Sequence, residues 1–385
     1  MYDVLILGAG AGGLMCASGL AEHKTLKIGV IDANQSIGAK IKISGGGKCN
    51  ITNTKVSEEN YLGEAAFVSW ILSKYTKEDL LEFLEANGLS PVIRKGRYYF
   101  CPKSSDEIIS IFKRLTKSVD YRLGENILYA EKKEDMFFVK TSKSTYRAKS
   151  LVVATGGESY KSLNASDIGL KIASGFGVQS IEFSPALVGM TLQKEQFWMK
   201  ELSGVSAEVE ITVEGKTLRE DMLFAHRGIS GPVVLSASLY WKKGSMSINF
   251  LPQKDINKLI NGSKKNISSV LNLPKRLSKG LLEVLNIEDK PCSKLTKEDM
   301  QNLQNIHKYA FAPAGNFGFT KAEASRGGVK TEELDKNSMM SKKVDGLYFI
   351  GEVVDVTGEL GGYNFQWAFS SAVVCSKYIK GRYNM

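Results

Sequence analysis

The sequence predicts an α/β fold in which a parallel-sheet domain is interrupted by an insertion. The insertion has a different pattern of polar and apolar residues. Three observations support this prediction. A short apolar strand, a glycine-rich turn and a helix open the chain. Strands with alternating polar and apolar residues begin near residue 189, and apolar runs typical of buried strands return near the C-terminus. With 385 residues, of which 43% are apolar and 24% charged, the chain has material for more than one buried core. We therefore expect at least two domains.

The composition excludes several classes of protein. The apolar content is too high for a disordered chain, and five scattered cysteines do not indicate a disulfide scaffold. There is no Cys-x-x-Cys and there are only three histidines, so we expect no metal site. The uncharged stretch 4–21 contains five glycines and follows an aspartate rather than a basic leader. We expect no signal peptide, no membrane partner and a cytoplasmic location.

The N-terminus predicts a strand–helix–strand unit. Residues 2–7 form a short apolar run that is typical of a buried strand. Residues 12–23 predict a helix, and residues 27–31 predict a second buried strand that ends at Asp32. A unit of this kind occupies about thirty residues and is the building block of doubly wound parallel sheets.

The turn inside this unit matches the Gly-x-Gly-x-x-Gly pattern of dinucleotide-binding sites. Gly8 permits the tight turn, Gly10 lets the backbone approach a pyrophosphate, and Gly13 allows close packing of helix on strand. Asp32 suits the ribose hydroxyls. The alternative is a glycine-rich turn that only packs a helix. The residues predicted to contact the nucleotide here are Gly8, Ala9, Gly10, Ala11, Gly12, Gly13, Asp32, Ala33 and Asn34.

Later strands favour FAD over NAD as the dinucleotide. Residues 150–154 predict a buried strand beside the first one, and residues 346–350 predict a late strand followed by carboxylates that suit the ribityl chain of FAD. A helix that begins after residue 362 would direct its positive end toward the flavin pyrimidine. No second Gly-x-Gly-x-x-Gly is present, so NAD(P)H would approach the flavin directly. The further predicted FAD contacts are Ile127, Ala154, Thr155, Gly156, Gly157, Gly351, Glu352, Asp355, Gly361, Gly362, Tyr363, Asn364 and Phe365.

The middle of the chain contains two regions with different sequence patterns. Residues 206–213 and 245–250 alternate polar and apolar side chains, as exposed antiparallel strands do. Residues 251–308 are helical and lysine-rich, with 11 basic and 6 acidic residues, and hold half of the net charge of +10. This excess indicates a solvated helical face, a surface that contacts RNA phosphates, or an anionic-membrane surface.

Residues 40–53 resemble the signature loop of the BaiN/RdsA (YhiN-like) family of bacterial flavoproteins. The family pattern Gly-Gly-Gly-Arg/Lys-Cys-Asn-x-Thr-Asn corresponds to residues 45–53. Residues 96–104, 223–235 and 351–371 resemble other stretches of the family in the same order. The chain departs from the family at Asp32, where Glu is more frequent, and at 98–102, which has an extra residue and a cysteine.

This resemblance implies an FAD-binding domain of the two-dinucleotide-binding flavoprotein type, an inserted β-barrel-like domain and a small helical domain. Together with the changes in sequence pattern, the resemblance assigns residues 1–188 and 342–385 to the FAD-binding domain. It assigns residues 189–250 and 309–341 to the β-barrel-like domain, and residues 251–308 to the helical domain. Family members are linked to reduction of carbon–carbon double bonds, including uridine in large-subunit ribosomal RNA and steroid enones, and one branch to aminoketone oxidation. In the signature loop the implied FAD contacts are Lys40, Ser44, Gly45, Gly46, Gly47, Lys48, Cys49 and Asn50.

Reduction of a conjugated double bond needs a hydride from the flavin and a proton from an acid, which leads to four catalytic candidates. Cys49 is either a proton donor or a loop-packing thiol. His226 and Arg227 either bind a substrate carbonyl or phosphate, or stabilise a turn. Tyr363 begins the last predicted helix and is expected near the flavin.

Two adjacent tyrosines, Tyr98 and Tyr99, either stack on a base or form an exposed aromatic pair on a hairpin. We expect an FAD-dependent oxidoreductase with NAD(P)H as the electron donor and a uridine in large-subunit ribosomal RNA as the leading substrate, bound through residues 251–308. The alternatives are a small-molecule enone reductase or amine oxidase, and a non-catalytic FAD- or RNA-binding protein.

Overall fold

The computed structural model describes residues 1–384, which divide into two compact units. The first unit comprises residues 1–184 together with the described chain from Ala324 onward, and the second comprises Pro185–Glu323. Each unit has its own hydrophobic core. The strands are β1 (Tyr2–Leu7), β2 (Ile28–Asp32), β3 (Asn50–Asn53), β4 (Tyr61–Leu62), β5 (Val92–Arg94), β6 (Tyr98–Phe100), β7 (Asp120–Leu123), β8 (Ile127–Lys133), β9 (Met136–Thr141), β10 (Thr145–Val153), β11 (Ser180–Ala186), β12 (Met190–Leu192), β13 (Ser206–Val213), β14 (Lys216–Ala225), β15 (Gly228–Ser230), β16 (Met246–Asn249), β17 (Tyr309–Phe311), β18 (Pro313–Asn316), β19 (Ala324–Val329), β20 (Leu347–Phe349) and β21 (Thr357–Gly358).

The α-helices begin and end as follows: α1 (Ala11–Ala21), α2 (Ala39–Gly47), α3 (Ala65–Lys74), α4 (Lys77–Ala86), α5 (Asp106–Leu115), α6 (Ile168–Gly175), α7 (Trp198–Glu201), α8 (Pro232–Tyr240), α9 (Ile256–Ile260), α10 (Ile267–Val270), α11 (Lys275–Val284), α12 (Lys297–Leu303) and α13 (Tyr363–Tyr383).

The main sheet of the first unit has the strand order β7-β2-β1-β10-β9-β8, with β20 also paired to β10. Strands β7, β2, β1, β10 and β20 run parallel, whereas β9 and β8 extend the sheet in antiparallel pairs. The central strand β1 is almost entirely buried, which explains its continuous apolar run. The carboxyl ends of the parallel strands meet at one edge, where the predicted cofactor residues follow β1, β2, β10 and β20.

The first helix packs closely against the last one. Eight of its eleven residues are buried, and all eight are small or apolar, so α1 has hardly any polar face. A Cβ atom on Gly19 would lie 2.6 Å from Ser376 Oγ on α13, so this crossing needs a glycine. The 21-residue helix α13 thereby becomes part of the same core as the N-terminal strand–helix–strand unit.

The glycine-rich sequence of residues 44–53 predicts a loop, and the structure differs from this prediction. Helix α2 reaches Gly47, although Ser44, Gly45 and Gly46 leave helical angles, and Asn50–Asn53 form strand β3. The loop prediction is therefore wrong for Asn50–Asn53. The reason is a distant partner: β3 pairs with β6 in the small sheet β3-β6-β5.

The second unit contains a seven-stranded antiparallel sheet with the order β17-β16-β13-β14-β15-β12-β18. Its two outer strands, β17 and β18, are separated by a single residue in the chain. Residues 309–316 therefore pair with β16 on one side and with β12 on the other. The sheet closes on itself in this way, and this closure gives the insertion a barrel-like form.

The lysine-rich segment 251–308 belongs to the second unit. Ile256 of α9, Leu271 just after α10 and Leu281 of α11 lie in the same buried cluster as Val209 and Ile248 of the sheet. Residues 324–341, which the sequence analysis assigned to the insertion, lie in the first unit because β19 reaches the strand-end region of that unit. The three-domain division itself stays a prediction.

Candidate cofactor site

The turn Gly8–Gly13 connects β1 with the N-terminus of α1. A Cβ atom on Gly8 would lie 2.4 Å from the Ala154 carbonyl oxygen, and one on Gly13 would lie 1.9 Å from the Gly8 carbonyl oxygen. By contrast, a Cβ on Gly10 would meet no described atom within 4 Å apart from its chain neighbours. Packing thus requires Gly8 and Gly13, while Gly10 borders open space at the helix end.

No side chain caps the start of α1 within the described chain, so its first N–H groups can bind an anion. The turn therefore fits the pyrophosphate of a dinucleotide. Ala11 and Gly12 form the first turn of this helix.

Asp32 ends β2, and its side chain connects the turn Gly8–Gly13 with the turn that contains Asn34. Its Oδ2 accepts a hydrogen bond from the Ala9 N–H at 2.6 Å, and its Oδ1 accepts from the Asn34 N–H at 2.7 Å and from Asn34 Nδ2 at 2.9 Å. An ionised carboxylate has about four acceptor positions, so about one is left for a ribose hydroxyl. Ala33 lies between these turn-fixing contacts, and its carbonyl accepts from Asn164 Nδ2 at 3.5 Å.

The chain near Ile127 lies beside this acid. The Glu125 N–H donates to the Asp32 carbonyl at 3.1 Å, and the Gly124 N–H donates to the Asn34 carbonyl at 2.9 Å. Ile127 begins β8 two residues further on and is half-buried against the core. This placement fits the nucleoside end of a dinucleotide.

A second group of predicted residues follows β10 and β20. Lys40 Nζ and Glu352 Oε2 form an ion pair at 2.8 Å, and the other oxygen of Glu352 accepts the Ser325 N–H at 2.8 Å. Ser325 Oγ in turn accepts the N–H groups of Glu158 and Ser159 at 2.9 and 3.1 Å. This network fixes the strand ends that carry the predicted cofactor residues. Sequence reasoning missed Ser325, for which the glycine pair at 327–328 was the only local signal.

Two details beside this network fit a polar ligand. The hydroxyl oxygen of Thr155 is buried and has no hydrogen-bond partner among the described atoms. A Cβ on Gly156 would come only as near as 3.8 Å to Glu352 Oε2, whereas one on Gly157 would clash with Ser325 at 2.5 Å. An unsatisfied buried hydroxyl costs free energy that a ligand hydroxyl can recover. The residues after Ala154 thus fit the polyol part of FAD.

Asp355 lies on the same side, three residues after Glu352. Burial raises the pKa of its carboxyl group, although Arg326 and Lys330 act in the opposite direction. Gly351 has φ 72°, and its N–H donates to Ser371 Oγ of α13 at 3.0 Å. The backbone after β20 is therefore tied directly to the last helix.

The loop Ser44–Asn50 contains a run of left-handed residues. Gly45, Gly46 and Gly47 have φ between 56° and 81°, and Cys49 follows with φ 44°. Successive N–H groups in such conformations form concave anion-binding surfaces. A Cβ on Gly46 would meet no described atom within 4 Å beyond its neighbours, so this side of the loop is open. The loop therefore fits a cofactor-contacting role for its backbone and for half-exposed Lys48.

Cys49 is fully buried in this loop, and its thiol contacts that of Cys101. The hydrogen bond with Cys101 and burial raise the pKa of Cys49 well above that of an ordinary thiol. Cys49 is thus protonated near neutral pH, but its burial weighs against direct proton transfer to a substrate. Its catalytic role stays a prediction. Sequence reasoning missed the contact with Cys101 because it depends on the pairing of β3 with β6.

The N-terminus of α13 is fixed against β3. A Cβ on Gly362 would lie 2.7 Å from the Thr52 backbone, and Asn53 Nδ2 donates to the Gly361 carbonyl at 3.1 Å. Asn364 forms two hydrogen bonds of 2.9 Å with the backbone of Gly358. No described side chain caps the helix, so its positive end remains available beside the glycine-rich loop.

Tyr363 is 7% exposed at this helix end. Its ring packs edge-on against Tyr61 with centroids 5.9 Å apart, and burial raises the pKa of its phenol. The phenol is thus neutral at physiological pH. Phe365, two residues on, stacks with Phe369 at 6.1 Å and so has a packing partner.

The other two catalytic candidates, His226 and Arg227, lie in the second unit. They form the turn between β14 and β15, where both are exposed, and the Arg227 guanidinium lies 5.3 Å from the ring centre of Phe317. Gly228 makes this turn possible, since a Cβ there would lie 2.0 Å from the Met190 carbonyl. Their functional role stays a prediction.

Among residues 1–384, no helix is long and apolar enough to cross a membrane. The same residues contain no group of three or more His, Cys, Asp or Glu side chains placed to hold a metal ion.

The parallel sheet, the glycine turn with its uncapped helix, and the polar strand ends define a Rossmann-type FAD-binding flavoprotein of the oxidoreductase class. This confirms the fold class that the sequence predicts. The chain belongs to the HI0933-like family, since the family's "HI0933-like protein Rossmann domain" matches residues 2–378.

Several relatives are similar to the chain over its full length. It is 38% identical to a ribosomal RNA dihydrouridine synthase of Escherichia coli (strain K12), covering 98% of this chain and 97% of the relative. A protein of the same name from Haemophilus influenzae is 37% identical, with 97% of each chain covered. A 3-dehydro-bile acid delta(4,6)-reductase of Clostridium scindens is 27% identical, covering 99% and 98%. These matches confirm the family that the sequence resembles.

Among solved structures, a 3-ketosteroid delta1-dehydrogenase from Sterolibacterium denitrificans superposes with a TM-score of 0.50 at 11% identity, over 99% of each chain. At this identity the similarity is one of fold.

Proposed function

We propose that the chain is an FAD-dependent reductase that converts a uridine of large-subunit ribosomal RNA to dihydrouridine, with NAD(P)H as the electron donor and the cytoplasm as its location. The observation that carries the proposal is the 37–38% identity, over nearly the whole chain, to two proteins named ribosomal RNA dihydrouridine synthase. The geometry around Gly8–Gly13 and Glu352 supports it, because these residues fit the dinucleotide.

The chain's own residues would bind and orient the cofactor. The N-terminus of α1 would hold the pyrophosphate, Asp32 the ribose, and the strand ends near Thr155 and Glu352 the polyol. When bound and reduced, FAD would supply the hydride for a conjugated double bond. The uncapped end of α13 would stabilise negative charge on the adjacent ring system, and Tyr363 would remain a neutral hydrogen-bond donor there.

The test begins with an absorption spectrum of the purified protein and anaerobic addition of NADPH or NADH. We expect a yellow protein that bleaches. An in vitro transcript of large-subunit ribosomal RNA is then added, and its nucleosides are analysed by mass spectrometry. Dihydrouridine, which is heavier than uridine by two hydrogen atoms, is the expected product. A protein that takes up no FAD, or a reduced protein that leaves the transcript unchanged, would refute the proposal.

A second candidate is reduction of a small conjugated enone. The full-length similarity to a 3-dehydro-bile acid delta(4,6)-reductase supports it, although the identity is lower, at 27%. The two candidates are separated by giving the reduced protein the RNA transcript and a steroid enone in parallel. Oxidation of the flavin by the steroid alone would favour the second candidate.

A further inference from the structure

Cys49 and Cys101 lie side by side at the base of the glycine-rich loop in the first unit. They are one position beyond the paired residues Asn50 and Phe100 of strands β3 and β6. The Cys101 N–H donates to the carbonyl of Cys49 at 3.4 Å and to that of Lys48 at 3.0 Å, so the two backbones are adjacent. Opposite residues of antiparallel strands have Cα atoms ~4.5–5.5 Å apart, within the ~4.4–6.8 Å that a disulfide spans. The fold thus places two thiols where a disulfide can form with little movement.

The two thiols contact each other, and Cys101 is the one whose surroundings favour a thiolate. Its sulfur accepts the Ile108 N–H, one of the N–H groups that the first turn of α5 leaves without an intrahelical partner. A donor N–H and the positive end of a helix both stabilise a thiolate. The hydrogen bond with Cys49 contributes most to lowering the pKa of Cys101, although burial and the Glu107 carboxylate act in the opposite direction. Cys101 is therefore the nucleophilic member of the pair.

Cys49 has the opposite character. The hydrogen bond with Cys101 and burial raise its pKa, so it keeps its proton. An asymmetric pair of this kind suits a two-step oxidation, in which one sulfur attacks the oxidant and the second sulfur then attacks the first. The two cysteines thus have complementary roles available to them.

The pair is enclosed by a thin layer of protein. Both cysteines are fully buried. The hydroxyl of Ser44 contacts the Cys49 thiol, yet Ser44 itself is half-exposed, and the adjoining Gly45 and Gly46 are exposed. A bulky thiol reagent is therefore excluded, whereas a molecule of two oxygen atoms needs only a small local opening of the loop, which costs little free energy in a segment with few buried contacts.

A second thiol pair in the same unit provides an internal comparison. Cys16 of α1 and Cys375 of α13 are also fully buried and in contact. Both lie inside their helices rather than beside an N-terminus, and burial raises the pKa of Cys375 well above that of an ordinary thiol. Contact between buried thiols is thus common to both pairs, and the position beside the start of α5 distinguishes the pair at the loop.

We propose that Cys49 and Cys101 form a site of reversible oxidation, at which hydrogen peroxide converts the two thiols to a disulfide. The Cys101 thiolate attacks one peroxide oxygen, the O–O bond breaks, and Cys101 becomes a sulfenic acid. The departing hydroxide takes up the proton that Cys101 has lost. The Cys49 sulfur then attacks the Cys101 sulfur, its proton passes to the departing hydroxyl, and a second water leaves. Two thiols and one peroxide thus give one disulfide and two waters.

The disulfide would join the end of the loop 44–50 to strand β6, beside the candidate cofactor site. Flavins take part in oxygen chemistry, so peroxide is a molecule that a flavoprotein meets. A dithiol reductant reverses the oxidation by thiol–disulfide exchange. The inference goes beyond the proposed function, because it does not depend on the substrate that the flavin reduces.

The test exposes the native FAD-bound protein to hydrogen peroxide and removes the excess with catalase. The intact mass should fall by two hydrogen atoms, and two of the five thiols should be lost when the denatured protein is titrated. Peptide mapping should identify a disulfide between Cys49 and Cys101, while Cys16 and Cys375 stay reduced. Dithiothreitol should restore all five thiols.

Single variants separate the roles of the two sulfurs. In Cys49→Ser, peroxide should convert Cys101 to a sulfenic acid that dimedone traps on denaturation, because no second thiol resolves it. In Cys101→Ser, the remaining Cys49 should be oxidised about tenfold more slowly than that, since each unit of raised pKa lowers the thiolate fraction about tenfold. Cys375→Ser is the matched control, which loses a thiol of the other pair and should form the disulfide at the wild-type rate. Bound FAD and the thermal midpoint establish that each variant is folded.

Three results would show that the inference is wrong. They are five intact thiols after peroxide treatment that fully oxidises free cysteine, a disulfide that forms as fast between Cys16 and Cys375, and a sulfenic acid that forms faster on Cys49 than on Cys101. Dihydrouridine formation is measured on the same preparations. A protein that forms the disulfide and leaves the transcript unchanged refutes only the proposed function, and one that modifies the transcript and keeps five thiols refutes only the inference.

Discussion

Two glycine-rich segments border the candidate cofactor site, and they need glycine for different reasons. In the turn Gly8–Gly13 the demand is for space, because a Cβ at Gly13 would lie 1.9 Å from a carbonyl oxygen. In the loop 44–50 the demand is for backbone conformation, because three successive glycines have left-handed φ while Gly46 has open space around it. The first segment is thus fixed by packing, and the second by its dihedral angles.

The largest effect should follow from Gly13→Ala. The new methyl group must displace the Gly8 carbonyl, and we expect a loss of about 3 kcal/mol of unfolding free energy together with the bound FAD. Gly12→Ala is the matched control one residue earlier, where the nearest atom would be at an ordinary 3.6 Å. Urea unfolding and the ratio of flavin to protein measure both. Equal stability of the two variants would contradict the role of space in this turn.

Alanine substitutions in the loop 44–50 should lower the stability less than Gly13→Ala does, and by different amounts at Gly45 and Gly46. Gly45→Ala and Gly46→Ala both force alanine into a left-handed conformation, which costs about 1 kcal/mol. Gly45→Ala should cost about 1 kcal/mol more, because its Cβ would lie 2.9 Å from both the Asn50 nitrogen and a Phe100 ring carbon. Denaturant midpoints compare the pair. A Gly46→Ala variant as unstable as Gly13→Ala would remove the distinction between the two segments.

Gly10→Ala should leave the folding stability within about 0.5 kcal/mol of the wild type, because its φ is −82° and its Cβ would face open space. FAD affinity should nevertheless fall about tenfold or more, since the methyl group occupies the approach to the pyrophosphate. Titration of the apoprotein with FAD, followed by flavin fluorescence, measures the affinity. Gly381→Ala, which also has open space but lies at the far end of α13, should leave FAD binding unchanged.

The smallest effect concerns the thiols of the loop. The hydrogen bond between the two thiols raises the pKa of Cys49 and lowers that of Cys101. Both residues are fully buried, so a thiol reagent at about pH 8 should modify neither of them in the native protein, because it cannot reach them. Raising the pH should increase the reactivity of Cys49 only above the ordinary pKa of a thiol, because the pKa of Cys49 is raised. All five cysteines should react after denaturation. Rapid native labelling of Cys49, identified by peptide mass spectrometry, would show that the loop opens.

The sequence predicted the features that depend on the spacing of nearby residues. The strand, turn, helix and acid around Gly8–Asp32 lie within one short stretch, and each has a recognised pattern. The contact of Cys49 with Cys101 depends on the pairing of β3 with β6, which are some fifty residues apart. No local pattern specifies such a partner, so Asn50–Asn53 resembled a loop.

The helices of residues 251–308 illustrate the same limit at the level of domains. Their periodicity and lysine content were visible, but their shared core with the antiparallel sheet was not. Periodicity shows that a helix has an apolar face without showing what covers it. The boundary of the first unit at Ala324 was missed for a related reason, since β19 is held by its neighbours in space.

The position of the insertion has a consequence for the order of events on the ribosome. Lys40 forms its ion pair with Glu352, and the helix end beside the glycine-rich loop begins at Tyr363, so the cofactor site joins parts of the chain that are synthesised far apart in time. The inserted sheet closes with residues 309–316 and can complete its own core before Glu352 is made. Flavin capture would therefore follow the folding of the inserted sheet, because the site stays incomplete until Glu352 and the start of α13 have been made.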